Sequence, residues 1–406
     1  MQPPQPADHV AGPIRPFATA AATAGLGLLL IGGTAVAGKM ALSNRRILLR
    51  VFRPGLYVTL GAAALLTLAQ TTEFIYACYY FEAAYAGGVH IQLLIFLGLG
   101  AALTFVAVLR ALLFVFKRDP LRVGGKTVSV VDQPRLWSEV ESLCRSLSIK
   151  PPNNIIVGLA PTFFVTEGEI SCLGTRFSGR TLFISLAAAR VLSPAELRAV
   201  IAHEMAHFHG EDTAFSKRFF PVYKGTWAAL FQLEARSRGV AVFTSLPAST
   251  FIGFFFLVFA RAEKNVSRLR EKEADQVAAR LAGRDSLGRA LLKLHAYGTL
   301  WPVLFDGVRY GEDAFVDVRN AAAAFADRAA AMPREQFDKA GSLRVSHPLD
   351  SHPTLLERIE AIGMSLSDLV PAAQVPCQSE AASSLLRDAE SMEAIQTQVL
   401  RDRRGF

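Results

Sequence analysis

The chain has 406 residues, of which 51% are hydrophobic and only 19% charged, with a formal net charge of +8. That balance is too apolar for an ordinary soluble protein and predicts a membrane region joined to one catalytic-sized domain. The basic residues cluster beside apolar segments, which speaks against a nucleic-acid partner, and Cys78, Cys144, Cys172 and Cys377 lack the spacing of a zinc knuckle or disulfide framework.

Three N-terminal stretches are long enough to span a bilayer. Residues 17–38 carry no charge, residues 55–80 are interrupted only by Glu73, and residues 91–109 end at Arg110. Ala35-Val36-Ala37 resembles a signal-peptidase site, but the basic run follows the apolar core instead of preceding it, which favours a retained helix. Lys39, Arg45, Arg46, Arg50 and Arg53 lie between the first two stretches, and Lys117, Arg118, Arg122 and Lys126 follow the third. The loop 82–90 has neither Lys nor Arg. Positive-inside reasoning therefore places the N-terminus outside and everything after residue 117 in the cytoplasm. Glu73 belongs either near an interface or in a helix–helix contact.

Beyond the apolar region, residues 124–131 read as a strand, and Asp132-Gln133-Pro134 opens a helix to about Leu147. After the break at Pro151-Pro152, residues 154–159, 162–166 and 180–185 read as short strands, with Phe177-Ser178-Gly179 as a turn. Ser193-Pro194-Ala195-Glu196 is a capping box with proline at the first helical position. The helix it opens carries His203-Glu204-x-x-His207. Residues four apart share one helix face, so both imidazoles can grip one zinc ion, with Glu204 placed to deprotonate a water there. A buried, hydrogen-bonded histidine pair is the alternative.

A third ligand is needed, and Glu271 and Asp275 are four apart on a further expected helix. One can ligate while the other orients a histidine, although an exposed charged helix would show the same spacing. Between the motifs, residues 240–260 form another uncharged run of spanning length. One metal cannot be held across a bilayer, so the number of crossings between His207 and Glu271 must be even. Residues 219–260 are therefore expected to form a hairpin, or 240–260 to be re-entrant, bent at Pro247, or packed on the membrane surface.

At these residues the chain resembles the integral-membrane gluzincin metallopeptidases, the family of HtpX and the CAAX prenyl endoprotease. The resemblance rests on His203-Glu204-x-x-His207 with Asp212, on Ser267-Arg268-x-x-Glu271-x-x-Ala274-Asp275, and on Ser351-His352-Pro353 with Arg358-Ile359. It covers about residues 120–365. It implies one zinc ion held by His203, His207 and Glu271, with Glu204 as general base and Asp275 accepting the free ring N–H of His203. His352 and Arg358 are implied near the cleft, as candidates for steadying an oxyanion. The implied fold is α+β: a mainly helical zincin-type metalloprotease domain with a small β-sheet, attached to N-terminal transmembrane helices. The expected organisation is a membrane region 1–118 with about three spans, a metalloprotease domain 119–365 interrupted at about 219–260, and a C-terminal linker and amphipathic helix 366–406. The expected activity is zinc-dependent cleavage of protein or peptide substrates, in quality control at a bacterial inner membrane, with the active site facing the cytoplasm and the lipid bilayer as the other partner. A catalytically silent zinc scaffold is the rival reading. The chain departs from the HtpX pattern in suggesting three spans ahead of the domain instead of two, and in a loose match around Thr162-Phe163-Phe164-Val165.

Overall fold

A computed structural model describes residues 6–42, 45–85, 88–115, 120–208, 240–335, 338–339, 353–373 and 380–402. The chain divides into two units, one formed by residues 1–118 with 218–266 and the other by 119–217 with 267–406.

Long helices build the first unit: α1 (Pro6–Ala41), α2 (Arg45–Tyr85), α3 (Ile91–Val115) and the N-terminal part of α7 (Val240–Ala282). Among the described residues, Ala18–Ala41 and Arg46–Tyr85 are long and apolar enough to cross a membrane, and Ile91–Leu103 is a shorter apolar stretch. The third stretch suggested by the sequence lies within α3. Glu73 meets α1, where Thr23 Oγ1 donates to its Oε2 at 3.3 Å, so the carboxylate makes a helix–helix contact. Phe52 of α2 packs against Phe255 and Phe259 of α7, at ring-centroid distances of 5.6 and 5.4 Å. Residues 240–260 are helical throughout, and α7 continues without a break to Ala282. The first arm of the expected hairpin lies outside the described residues.

The second unit is α+β. Its main sheet has the order β2 (Lys126–Val128), β3 (Asn154–Gly158), β7 (Thr181–Ser185), β4 (Phe164–Thr166). β3 and β7 are parallel, with Ile155 opposite Leu182 and Val157 opposite Ile184, while β2 and β4 run antiparallel at the two edges. A smaller sheet has the order β1 (Leu121–Val123), β5 (Ile170–Cys172), β6 (Thr175–Phe177). Ile155, Val157, Leu182 and Ile184 face the helical core. Ile156 and Phe183 point the other way, onto Ile170 and Cys172 of the smaller sheet. Both faces of the central strands are covered, which is why β3 and β7 read as unbroken apolar runs without alternation. The β5–β6 hairpin was not legible in the sequence, because its two-residue turn is Leu173-Gly174, both at positive φ (50° and 95°), in place of Asn-Gly.

Helices cover the other face: α4 (Pro134–Ser146), α5 (Leu186–Val191), α6 (Pro194–Ala206), the C-terminal part of α7, α8 (Arg284–Gly298), α9 (Trp301–Tyr310), α10 (Ala321–Ala330), α11 (Leu355–Ala361), α12 (Leu366–Ala373) and α13 (Ala389–Asp402). The segment beyond residue 380 is bound to this domain. On α13, Gln396 Nε2 donates to Val157 O at 3.0 Å, and Ala321 N donates to Thr397 Oγ1 at 2.9 Å. That buried face is therefore committed within its own domain.

Candidate metal centre

The strand β7 feeds straight into α5, whose N-cap Ser185 accepts from Ala188 N at 2.9 Å. One residue separates α5 from Ser193, which caps α6. Its hydroxyl accepts from Glu196 N at 3.2 Å while Glu196 Oε2 accepts from Ser193 N at 2.8 Å, and Pro194 occupies the first turn. The helix is therefore started by local chemistry in the register the sequence indicates. It is then enclosed, with Leu197, Val200, Ile201 and Met205 all buried, so α6 is a rigid platform with little freedom to rotate. His207 stands at its C-cap, still at φ −66° and ψ −19°.

The two histidines meet Glu271 of α7. His203 Nε2 lies 3.3 Å from His207 Nε2 and 3.4 Å from Glu271 Oε2, and His207 Nε2 lies 3.5 Å from Glu271 Oε1. Zinc bonds to nitrogen and oxygen at about 2.0–2.2 Å, so tetrahedral ligands stand roughly 3.3–3.5 Å apart. The three donors form a triangle of that size, and among the described residues they are the cluster able to hold a metal ion. The donor set of two imidazoles and one carboxylate suits zinc.

Asp275, one turn beyond Glu271, is fully buried. Its Oδ1 lies 2.9 Å from His203 Nδ1, so this nitrogen donates to the carboxylate and Nε2 is left for the metal. Arg358 of α11 grips the same carboxylate with both arms of its fork, Nε to Oδ2 at 2.8 Å and Nη2 to Oδ1 at 2.6 Å. Nη2 is also 3.8 Å from Glu271 Oε2 and 3.4 Å from both ring nitrogens of His203.

Carboxylates gather at this point: among the described residues Glu204, Glu271 and Asp275 all act on the Arg358 guanidinium, and Asp275 and Glu271 also act on His203. Burial and the Arg358 charge push its pKa down, but its contacts with Asp275 and Glu271 outweigh them and carry it up to about 9. Burial works against the Asp275 carboxylate too, yet its bonds from Arg358 and His203 hold it below the ordinary aspartate value.

The structure thus brings together His203, Glu204, His207, Glu271, Asp275 and Arg358. His352, Asp212 and His209 lie outside the described residues. Sequence reading passed over Lys293, which is 2% exposed and reaches the start of α6, with Nζ 2.8 Å from Glu196 Oε2. A signal was present: the lysine falls among Ala290, Leu291, Leu292 and Ala296, on the face of α8 that the apolar pattern buries.

A family model described as peptidase family M48 matches residues 133–365. Among curated proteins the chain is 29% identical over 173 residues to a Protease HtpX homolog of Archaeoglobus fulgidus, covering 41% of this chain and 49% of that one. It is 28% identical over 186 residues to Protease HtpX of Pseudomonas syringae pv. tomato, covering 41% and 60%. It is 30% identical over 210 residues to a Protease HtpX homolog of Methanothermobacter thermautotrophicus, covering 49% and 75%. The chain spans between about half and two thirds of the length of the first curated relatives it matches. No solved structure matches it.

Proposed function

This chain belongs to peptidase family M48, and from that premise we propose that it is a membrane-embedded, zinc-dependent endopeptidase. The observation that carries the reading is the triangle of His203, His207 and Glu271 donors, drawn to the size of a zinc coordination sphere.

His203, His207 and Glu271 would hold the ion. Bound there, zinc would polarise a scissile carbonyl and bring the pKa of water to about 7. Glu204 takes the proton from the attacking water and passes it to the leaving amine. Asp275 fixes the tautomer of His203, and Arg358 fixes Asp275. Arg358, with His352 of the preceding segment, would steady the oxyanion. An extended substrate would add to β4, an edge strand among the described residues that pairs on one side with β7, using main-chain hydrogen bonds with modest sequence preference.

The domain 119–365 would act at the cytoplasmic face of a bacterial inner membrane, on damaged or unassembled proteins. Because α7 carries both the apolar run and Glu271, an even number of crossings between His207 and Glu271 would require a returning segment within residues 209–239. Purified wild type and Glu204→Gln, compared for casein cleavage and self-cleavage, test the mechanism. Wild type should cut and the variant should not; equal activity in both would overturn it, and zinc bound without cleavage in either would point to the scaffold reading.

A further inference from the structure

The base of α6, at the opposite end from the metal donors, is held by parts of the chain far away in sequence. Val191 and Leu192 lie at the C-terminal end of α5, where helix carbonyls lose their intrahelical partners. Val191 O accepts from Lys293 Nζ at 3.3 Å, and Leu192 O accepts from Ala382 N at 2.8 Å. Lys293 Nζ also meets Glu196 Oε2 at 2.8 Å, and Arg289 Nε lies 3.4 Å from Glu196 Oε1. On the other side, Arg190 Nε donates to both oxygens of Glu393, each at 2.9 Å, and Asn320 Nδ2 donates to Glu393 Oε2 at 2.7 Å. Glu196 and Lys293 are each 2% exposed and Glu393 is fully buried, so these are enclosed, oriented contacts.

We infer that Lys293 and the segment 382–397 are positioning elements of the metal centre: they hold the α5–α6 junction, residues 190–196, and thereby set where α6 presents His203 and His207. The inference rests on the metallopeptidase reading above. Its physics is leverage. His203 lies seven residues beyond Glu196, about 10 Å along a rigid helix, so a small rotation at the base moves the imidazole out of the donor triangle. α8 follows α7 with only Gly283 between them, at φ +93°. Lys293 therefore ties the histidine helix to the helix that continues the chain from Glu271. An apolar pair would fill the same space with equal or greater stability, whereas an ion pair fixes a single arrangement. The segment 382–397 lies beyond the region matched to the family, residues 133–365.

The test uses full-length protein in detergent, with Lys293→Met and Glu393→Gln beside wild type. Three quantities are read well below the melting temperature: release of bound zinc to a chelator, hydrogen exchange of the α6 amides, and the split between kcat and KM on casein. The expected result is zinc release about tenfold faster in Lys293→Met and a few-fold faster in Glu393→Gln. Faster exchange should be confined to residues 190–206, and kcat should fall at unchanged KM. Folded variants with wild-type zinc release, α6 exchange and kcat would overturn the inference even if they melted at lower temperature. Should Lys293→Met fail to fold, Lys293→Arg and Glu393→Gln are judged by the same readouts. If wild type holds no zinc, the metallopeptidase reading fails on its own account, and α6 exchange still decides whether the junction is clamped.

Discussion

At its N-terminal end α6 carries buried Glu196, matched by Lys293 and Arg289, with Asp285 closing the set at 2.7 Å from Arg289. At its C-terminal end, two turns away, it carries His203, Glu204 and His207 beside Glu271 and Asp275, with Arg358 held against the carboxylates. Glu196 and Lys293 are buried while Asp285 lies at the surface, and both clusters draw partners from α8 or α11. In the first cluster each carboxylate meets a cation; in the second, two imidazoles and a carboxylate converge on one point with Asp275 behind them. A buried carboxylate is costly unless a cation meets it, and convergent donors are what a metal ion needs. The matched end reads as structure and the metal-donor end as a site for a cation.

The contrast can be broken most severely at the metal-donor end. Glu271→Ala removes a metal donor and its charge together. It should abolish zinc occupancy, measured by elemental analysis of purified protein, and cleavage with it. Undiminished zinc would leave Glu271 as a bystander and remove the argument that both motifs share one side of the membrane. Arg358→Met attacks the same end from the opposite sign. With the guanidinium gone, buried Asp275 keeps only His203, and stability should fall by about 3–5 kcal/mol in denaturant unfolding. Loss of the shell behind His203 should also weaken zinc binding about 10–100-fold. A loss below about 1 kcal/mol would mean that Asp275 is solvated or protonated in the folded protein.

The pH dependence sharpens the comparison, since the carboxylates around His203 should be visible as a proton held on its ring. In metal-free protein His203 is carried up to about 9 from an ordinary value of 6.5, chiefly because its contacts with Asp275 and Glu271 outweigh burial and Arg358. A folded value above the unfolded one gives stability that is complete below about 6.5 and lost as pH rises through about 9. Chelator-treated protein should lose on the order of 3 kcal/mol between pH 6 and pH 10. Zinc-loaded protein should not show this step, because the metal has already displaced the proton. A flat profile in the metal-free protein would mean that Asp275 and Glu271 do not hold a proton on His203.

What the sequence disclosed of these two ends follows from range. His203, Glu204 and His207 fall within five residues, and Glu271 and Asp275 are four apart, so helical spacing alone puts each group on one face. The capping box at Ser193 and Glu196 was legible for the same reason. Lys293 to Glu196 spans 97 residues and Arg190 to Glu393 spans 203, and no local rule pairs side chains over such distances. Arg358 was found through resemblance, and its fork on Asp275 became visible only when α11 was seen beside α7. The strands were found where they were long and apolar, at β3 and β7, and missed where a hairpin turned on Leu173 at positive φ.

The smallest expected effect lies at the matched end. Ser193→Ala removes one hydroxyl acceptor from Glu196 N and leaves the Glu196 carboxylate on Ser193 N and Lys293 Nζ. Loss of a serine cap costs about 1 kcal/mol, and no charge is stranded, so thermal unfolding should register that much and no more. Because the ion pair survives, zinc release should stay at the wild-type rate, in contrast to Lys293→Met. The pair of variants separates stability at the start of the helix from position at its end. If Ser193→Ala released zinc as fast as Lys293→Met, the cap and not the buried ions would be what holds the histidines in place, and the matched charges of that end would have no bearing on the metal.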